Sequence, residues 1–181
     1  MNNLKLSAGT QLPTIIVNNQ HDQSIELGKP HGENDWQLVV VYRGRHCPLC
    51  TRYLNELEKY QNQFAQLGVS ISAVSADSKA QLNEHLNDLN ITYPIGYGLT
   101  IKQMDSLGLY LSTPRNDTET DHVFAEPGLF VINQLGQVQV VDISNGPFVR
   151  PELEVLLSGI EFIRNPQNNY PIRGTFIGGS A

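Results

Sequence analysis

The stretch LVVVYRGRHCPLC, residues 38–50, decides how this 181-residue chain is interpreted. It opens with an apolar run that is typical of a strand buried on both faces, and it ends with Cys47 and Cys50, the two cysteines of the chain. Apolar residues at helical spacing follow at 54–67, so the pair lies at a strand-to-helix junction. A CxxC pair at such a junction is first of all a redox pair. The amino end of a helix favours the thiolate, which is the reactive form.

A zinc site and a purely structural disulfide are the alternatives. Zinc needs four ligands, usually two cysteine pairs or one pair with closely spaced histidines. The histidines of this chain are scattered: His21, His31, His46, His85 and His122. A disulfide between Cys47 and Cys50 would close a very short loop, and the entropic gain from such a bond grows with loop length. Both alternatives explain the pattern less well than a redox pair.

Bulk composition restricts the class of protein. The hydrophobic content of 40% is ordinary for a globular domain with a sizeable core, and the formal charge of −6 argues against binding to a nucleic-acid backbone. No apolar stretch approaches the length of a membrane span. Residues 1–6 lack the basic and apolar regions of a secretory signal. We therefore expect a single cytoplasmic domain that binds neither nucleic acid nor membrane.

The order of the predicted elements indicates an α/β fold: a mixed central β-sheet flanked by helices, with an N-terminal β-hairpin at 10–29. The remaining predicted strands lie at 37–42, 69–74, 93–95, 128–132 and 137–141. Predicted helices run from the cysteines to about Leu67, from Asp77 or Ser78, from Thr100, and from a first turn that contains Pro151. We expect a polar loop at 112–123 and an irregular tail at 164–181, all within one domain, 1–181.

Two motifs carry a resemblance to a known family. Residues 41–50, VYRGRHCPLC, and residues 126–136, EPGLFVINQLG, occur in the order found in the thioredoxin fold. More closely, the first motif resembles the peroxiredoxin-like branch of the alkyl hydroperoxide reductase/thiol-specific antioxidant superfamily, with His46 where an aromatic residue is usual. The resemblance covers about residues 8–163. It implies a thioredoxin-like domain with a cis peptide bond before Pro127, which would face the sulfurs.

The resemblance also implies an activity. A member of this branch would reduce hydroperoxides through a Cys47/Cys50 dithiol–disulfide cycle, with a thiol reductant such as a thioredoxin, a glutaredoxin or glutathione. A disulfide reductase and a non-catalytic redox-sensing module are the alternatives. No bound cofactor is implied, because the cysteines carry the electrons. The resemblance leaves a homodimer open.

The chain departs from the peroxiredoxin pattern around the cysteines. Arg43 and Cys47 replace the usual proline and threonine, and Pro127 stands about where an arginine is expected. Cys50 aligns with the peroxide-attacking cysteine, whereas thioredoxins use the first cysteine, here Cys47, so either sulfur is a candidate nucleophile.

Arg43, Arg45 and His46 are candidate supporting residues, since they could supply charge to a thiolate. Arg150 and Arg115 lie far along the chain and are expected to be solvated. Trp36 and Tyr42 are expected in the core or in the wall of the site.

Overall fold

A computed structural model describes residues 5–176 and contains a central seven-stranded sheet in the order β2-β1-β5-β4-β3-β8-β9. β3 runs parallel to β4 and antiparallel to β8, so the sheet is mixed as predicted. The strands are β1 (Ile16–Asn19), β2 (Ser24–Glu26), β3 (Trp36–Val41), β4 (Val69–Val74), β5 (Ile95–Tyr97), β6 (Leu111–Ser112), β7 (Phe124–Ala125), β8 (Gly128–Ile132) and β9 (Val138–Ile143).

The N-terminal hairpin is present as the antiparallel pair β1 and β2, and the strands predicted at 128–132 and 137–141 form a second antiparallel pair, β8 and β9. The helices are α1 (Pro48–Glu58), α2 (Gln61–Gln66), α3 (Lys79–His85), α4 (Ile101–Ser106) and α5 (Leu153–Arg164). Ser78 and Thr100 cap α3 and α4 through reciprocal capping boxes with Gln81 and Gln103, as the sequence suggests.

The central strands separate two hydrophobic cores, because successive side chains of a strand point to opposite faces. Leu38 and Val40 of β3 pack in one core, with buried residues of α1, α2, α3 and α5. Val39 and Val41 pack in the other, with Met104 of α4. Helices therefore cover both faces, and every residue of β3 is buried.

Two helix predictions need correction. The helix expected from the cysteines to about Leu67 is two helices, because the amides of Lys59 and Tyr60 bond to carbonyls three residues back and the α-helical ladder ends there. Pro151 precedes α5, whose N-cap is Glu152, and so lies outside its first turn.

The polar loop at 112–123 is framed by β6 and β7, which pair with each other. The predicted tail is partly regular, since α5 extends to Arg164 and a 3-10 turn covers Pro166–Asn168; its last residues, 177–181, lie outside the described part of the chain. Among residues 5–176 no helix is long and apolar enough to cross a membrane.

Candidate active site

The cysteine pair follows the carboxyl end of β3, where open α/β sheets place their sites. Cys47 is the N-cap of α1, and its Sγ accepts a hydrogen bond from the backbone N–H of Cys50 over 3.2 Å. Pro48 follows in the first turn, where its missing N–H leaves no intrahelical bond unmade. The Cys47 sulfur thus caps the helix in the way that a serine or aspartate side-chain oxygen usually does.

A tight turn at Gly44 precedes the N-cap residue Cys47. Gly44 has a φ of +134°, and a Cβ there would lie 2.5 Å from Oδ1 of Asp77. The other oxygen of Asp77 accepts a hydrogen bond from the backbone N–H of Arg45 at 2.7 Å. Burial raises the pKa of this carboxyl. Glycine is required at 44 because the backbone passes directly over the Asp77 carboxyl group.

Cys47 and Cys50 are joined in a disulfide, with their Cα atoms 5.2 Å apart. The predicted closeness of the two sulfurs is therefore confirmed. Their relative exposures are 1% and 0%, so the disulfide is buried beneath its surroundings. Reversibility of the bond stays a prediction.

Arg150 is the site residue that sequence reasoning missed. Its Nη2 donates a hydrogen bond to Sγ of Cys50 over 3.1 Å, and its guanidinium lies 4.9 Å from the ring centroid of Tyr53. Burial lowers the pKa of Arg150 to about 10, so the group remains a cation at neutral pH. The expectation that Arg150 is solvated is wrong, because the loop between β9 and α5 folds back over α1. The Arg115 side chain is 81% exposed, as expected.

The two nearer arginines are engaged elsewhere. Arg43 pairs with Glu119 at 3.5 Å and with Glu126 at 3.2 Å, and it lies over the ring of Phe124. Arg45 pairs with Glu84 at 3.1 Å on the surface. Among the described residues their side-chain partners are carboxylates and an aromatic ring rather than the sulfurs. Their roles as supporting residues stay predictions.

His46 packs against Phe124, with ring centroids 4.6 Å apart. Neither of its ring nitrogens has a hydrogen-bond partner within residues 5–176. Burial, with a smaller contribution from the charge of Arg43, lowers the pKa of His46 to about 4. The ring is therefore neutral at pH 7.

His85 is a second residue that the sequence did not reveal. It is fully buried, and its Nε2 lies 2.8 Å from Oγ1 of Thr51, one turn after Cys47. Burial lowers the pKa of His85 to about 4. The next residue, Leu86, is partly buried against the same core, so both face inward and His85 is the more deeply buried. The contact connects α3 to the first turn of α1.

Tyr42 is buried against the ring of His85, with centroids 5.7 Å apart, and Trp36 is buried in the core, as expected for both.

Pro127 lies at the same end of the sheet as the cysteines, because the next residue, Gly128, pairs with Val41. The predicted cis bond is wrong: none of the described peptide bonds is cis. The backbone on both sides is held extended, since Glu126 donates its N–H to the Tyr110 carbonyl and Pro127 accepts from the Ser144 N–H at 3.0 Å. This pairing fits a trans bond between two short strands.

A mixed sheet with a cysteine pair at the amino end of a helix beyond its central strand defines a thioredoxin-fold thiol protein. Residues 8–141 match the AhpC/TSA family, and the chain belongs to that family. The match includes the cysteine pair and most of β9.

Two curated relatives are similar to parts of the chain. The thiol-disulfide oxidoreductase ResA of Halalkalibacterium halodurans is 24% identical over 103 residues, covering 56% of this chain and 57% of that protein. The 1-Cys peroxiredoxin PER1 of Arabidopsis thaliana is 25% identical over 99 residues, covering 50% of this chain and 44% of that protein. The chain thus spans about half the length of the curated relatives it matches.

Solved structures share the fold. A peroxiredoxin-like protein from Aquifex aeolicus has a TM-score of 0.70 at 15% identity, with 87% of this chain and 88% of that chain covered. Peroxiredoxin 6 of Arenicola marina has a TM-score of 0.73 at 17% identity, with coverages of 90% and 75%. These likenesses confirm the predicted thioredoxin-like architecture.

Proposed function

We propose that this protein is a thiol-dependent peroxidase that reduces hydroperoxides through a Cys47/Cys50 dithiol–disulfide cycle. The observation that carries the proposal is the buried disulfide at the start of α1 with the Arg150 guanidinium on Cys50 Sγ. Membership of the AhpC/TSA family supports it.

Cys50 is the peroxide-attacking thiolate in this proposal. A guanidinium at 3.1 Å stabilises an anionic sulfur by a charge-assisted hydrogen bond. The Cys50 sulfur attacks one peroxide oxygen, the O–O bond breaks, and the other oxygen leaves as an alcohol or water after taking up a proton. Cys50 then carries a sulfenic acid.

Cys47 resolves this intermediate. Its sulfur attacks the Cys50 sulfur, the S–S bond forms, and the sulfenic oxygen leaves as water. The helix start favours the Cys47 thiolate, since its sulfur already accepts the Cys50 N–H. An external thiol reductant then returns two electrons and restores the dithiol.

The assignment of the two sulfurs is tested by trapping. Each reduced single variant, Cys47→Ser and Cys50→Ser, is treated with hydrogen peroxide and a sulfenic-acid reagent and analysed by mass spectrometry. We expect the adduct on Cys50 in Cys47→Ser and none in Cys50→Ser. The opposite pattern would make Cys47 the nucleophile, and no adduct in either variant overturns the peroxidase proposal.

A disulfide reductase is the second candidate, favoured by the Cys47 sulfur at the helix start and by the similarity to ResA. Steady-state turnover with a dithiol separates the two: a peroxidase consumes peroxide faster than insulin disulfides. A single stoichiometric oxidation without turnover would indicate the redox-sensing module instead. A cytoplasmic location and a homodimer stay predictions.

A further inference from the structure

A groove of about 530 Å³ lies between α1 and the segment 147–154 that leads into α5. We call it the α1–α5 groove. Its volume falls within the range of about 300–1,000 Å³ that small-molecule sites occupy. Leu49 and Tyr53 form one wall and Phe148 lines the other, with 80% of the Phe148 residue exposed. The groove therefore offers apolar walls to a ligand of modest size.

One side chain connects the groove to the disulfide. Arg150 lines the groove and also donates its hydrogen bond to Cys50 Sγ at 3.1 Å. Cys50 itself is 0% exposed. A thiol that attacks this sulfur from the groove must therefore displace the guanidinium. A small thiol can follow that route, whereas a protein thiol would have to enter a buried position.

Charges of both signs line the same groove. Arg52 and Arg150 supply two guanidinium groups, and Glu152 and Glu154 supply carboxylates, whereas the carboxylate of Glu56 is paired with Lys59. Guanidinium groups bind carboxylates in a bidentate manner. Carboxylates bind ammonium groups. The groove is thus complementary to a zwitterion that carries carboxylates and an amino group.

We infer that the α1–α5 groove binds a low-molecular-weight zwitterionic thiol of tripeptide size, and that this thiol reduces the Cys47–Cys50 disulfide. The inference rests on the proposed function in one respect: it takes this disulfide as the oxidised state of the catalytic cycle. Arg52 holds a carboxylate of the thiol, and Arg150 turns from the sulfur toward the incoming molecule.

The reaction balances with two thiols. The first thiolate attacks Cys50 Sγ; a mixed disulfide forms on Cys50, and the Cys47–Cys50 bond breaks. Cys47 leaves as a thiolate at the helix start, where the N–H of Cys50 is already bonded to its sulfur. A second thiol attacks the mixed disulfide, Cys50 is released, and the two external sulfurs leave as a disulfide. The thiol protons end on the two cysteines or in solvent.

The test uses full-length protein oxidised chemically with diamide, so that it does not depend on peroxide. Glutathione and 2-mercaptoethanol are each added over a range of concentrations, and disulfide loss is followed by quenching and thiol labelling. Each rate is divided by the rate of the same thiol with a small aromatic disulfide, which removes intrinsic reactivity. We expect glutathione to saturate and to exceed 2-mercaptoethanol about tenfold in normalised rate, about the effect of one charge-assisted hydrogen bond.

Two surface variants locate the binding. Arg52→Gln removes an exposed groove cation, and Phe148→Ala removes an exposed wall, so neither change threatens the core. We expect each to remove most of the glutathione preference while leaving the 2-mercaptoethanol rate within about twofold. Lys102→Gln, which removes one exposed cation from α4, is the matched control and keeps the preference.

Equal normalised rates for the two thiols, or a preference that survives both groove variants, overturns the inference. Reduction by a thioredoxin-type protein alone also overturns it and assigns a protein partner. A separate single-turnover reaction of the reduced protein with peroxide checks the proposed function. If the disulfide does not form there, the peroxidase proposal fails whatever the groove binds.

Discussion

Nη2 of Arg150 donates a hydrogen bond to Sγ of Cys50 across 3.1 Å, although the two residues are 100 positions apart in the chain. The contact gives the Cys50 sulfur a cationic donor that the motif around the cysteines does not supply. It distinguishes the two sulfurs: Cys50 has the guanidinium, and Cys47 has the helix start.

The first prediction concerns this contact. Arg150→Met should lower the rate of the reduced protein with hydrogen peroxide about 10- to 100-fold, because a hydrogen bond to a charged group contributes about 1.5–3 kcal/mol. Stopped-flow measurement of sulfenic acid or disulfide formation gives the rate. Arg173→Met, at an exposed arginine near the C-terminus, is the control and should react like the native chain. An unchanged rate in Arg150→Met would remove Arg150 from the catalytic machinery.

The second prediction concerns acid stability. The pKa of buried His85 is lowered to about 4, so below pH 6.5 the unfolded state binds a proton that the folded state does not. The free energy of unfolding should therefore fall between pH 6.5 and pH 4, by about 3 kcal/mol for this group alone. In urea denaturation, His85→Leu should reduce the dependence of the unfolding free energy on pH in this range, and the contribution of His46 should remain. His21→Gln, at an exposed histidine, should leave the slope unchanged; equal slopes in all three proteins would contradict the assignment.

The third prediction concerns the turn before the cysteines. Gly44→Ala and Gly98→Ala both place a side chain at positive φ, at +134° and +75°, but only the first meets a neighbour, Asp77 Oδ1 at 2.5 Å. For a residue with a Cβ, the left-handed conformation near that of Gly98 costs about 1–2 kcal/mol, and the φ of Gly44 lies in a region that glycine alone adopts readily. In chemical denaturation, the free energy of unfolding should fall about 1–3 kcal/mol further in Gly44→Ala than in Gly98→Ala. The reason is that the clash displaces the carboxylate that binds the Arg45 N–H. Equal losses of unfolding free energy in the two variants would contradict this prediction, because the backbone would then move away from Asp77 without cost.

The fourth prediction concerns the loop at 112–123. Glu119 attaches it to the segment before the cysteines through Arg43, and it also accepts the backbone N–H of Arg115. Glu119→Ala should increase the rate of limited proteolysis within this loop several-fold. Asp117→Ala, at an exposed carboxylate of the same loop, should cleave at the native rate. If both variants are cleaved at the same rate, the Arg43–Glu119 ion pair does not hold the loop in place.

The sequence predicts those features of the fold that depend on local patterns. β3 stands out because the centre of a strand buried on both faces is a continuous apolar run, and Ser78 and Thr100 stand out because capping is a local interaction. The cysteine pair is recognisable from its spacing and from the helix that follows.

The remaining features depend on contacts between distant segments. Arg150 reaches Cys50 only because the β9–α5 loop folds over α1, and nothing near residue 150 indicates this. The break between α1 and α2 has no glycine or proline to mark it. The bond before Pro127 is trans because residues from two other segments hold its neighbours extended.

The capping bond at Cys47 couples the start of α1 to the oxidation state of the cysteine pair. One sulfur is both half of the disulfide and the acceptor that completes the start of α1. An anionic sulfur accepts an N–H more strongly than a disulfide sulfur does. The hydrogen bond that caps the first turn of α1 should therefore be stronger in the reduced protein. We therefore expect the amide proton of Cys50, which also donates to the Cys47 carbonyl over 3.0 Å, to exchange with solvent more slowly in the reduced protein.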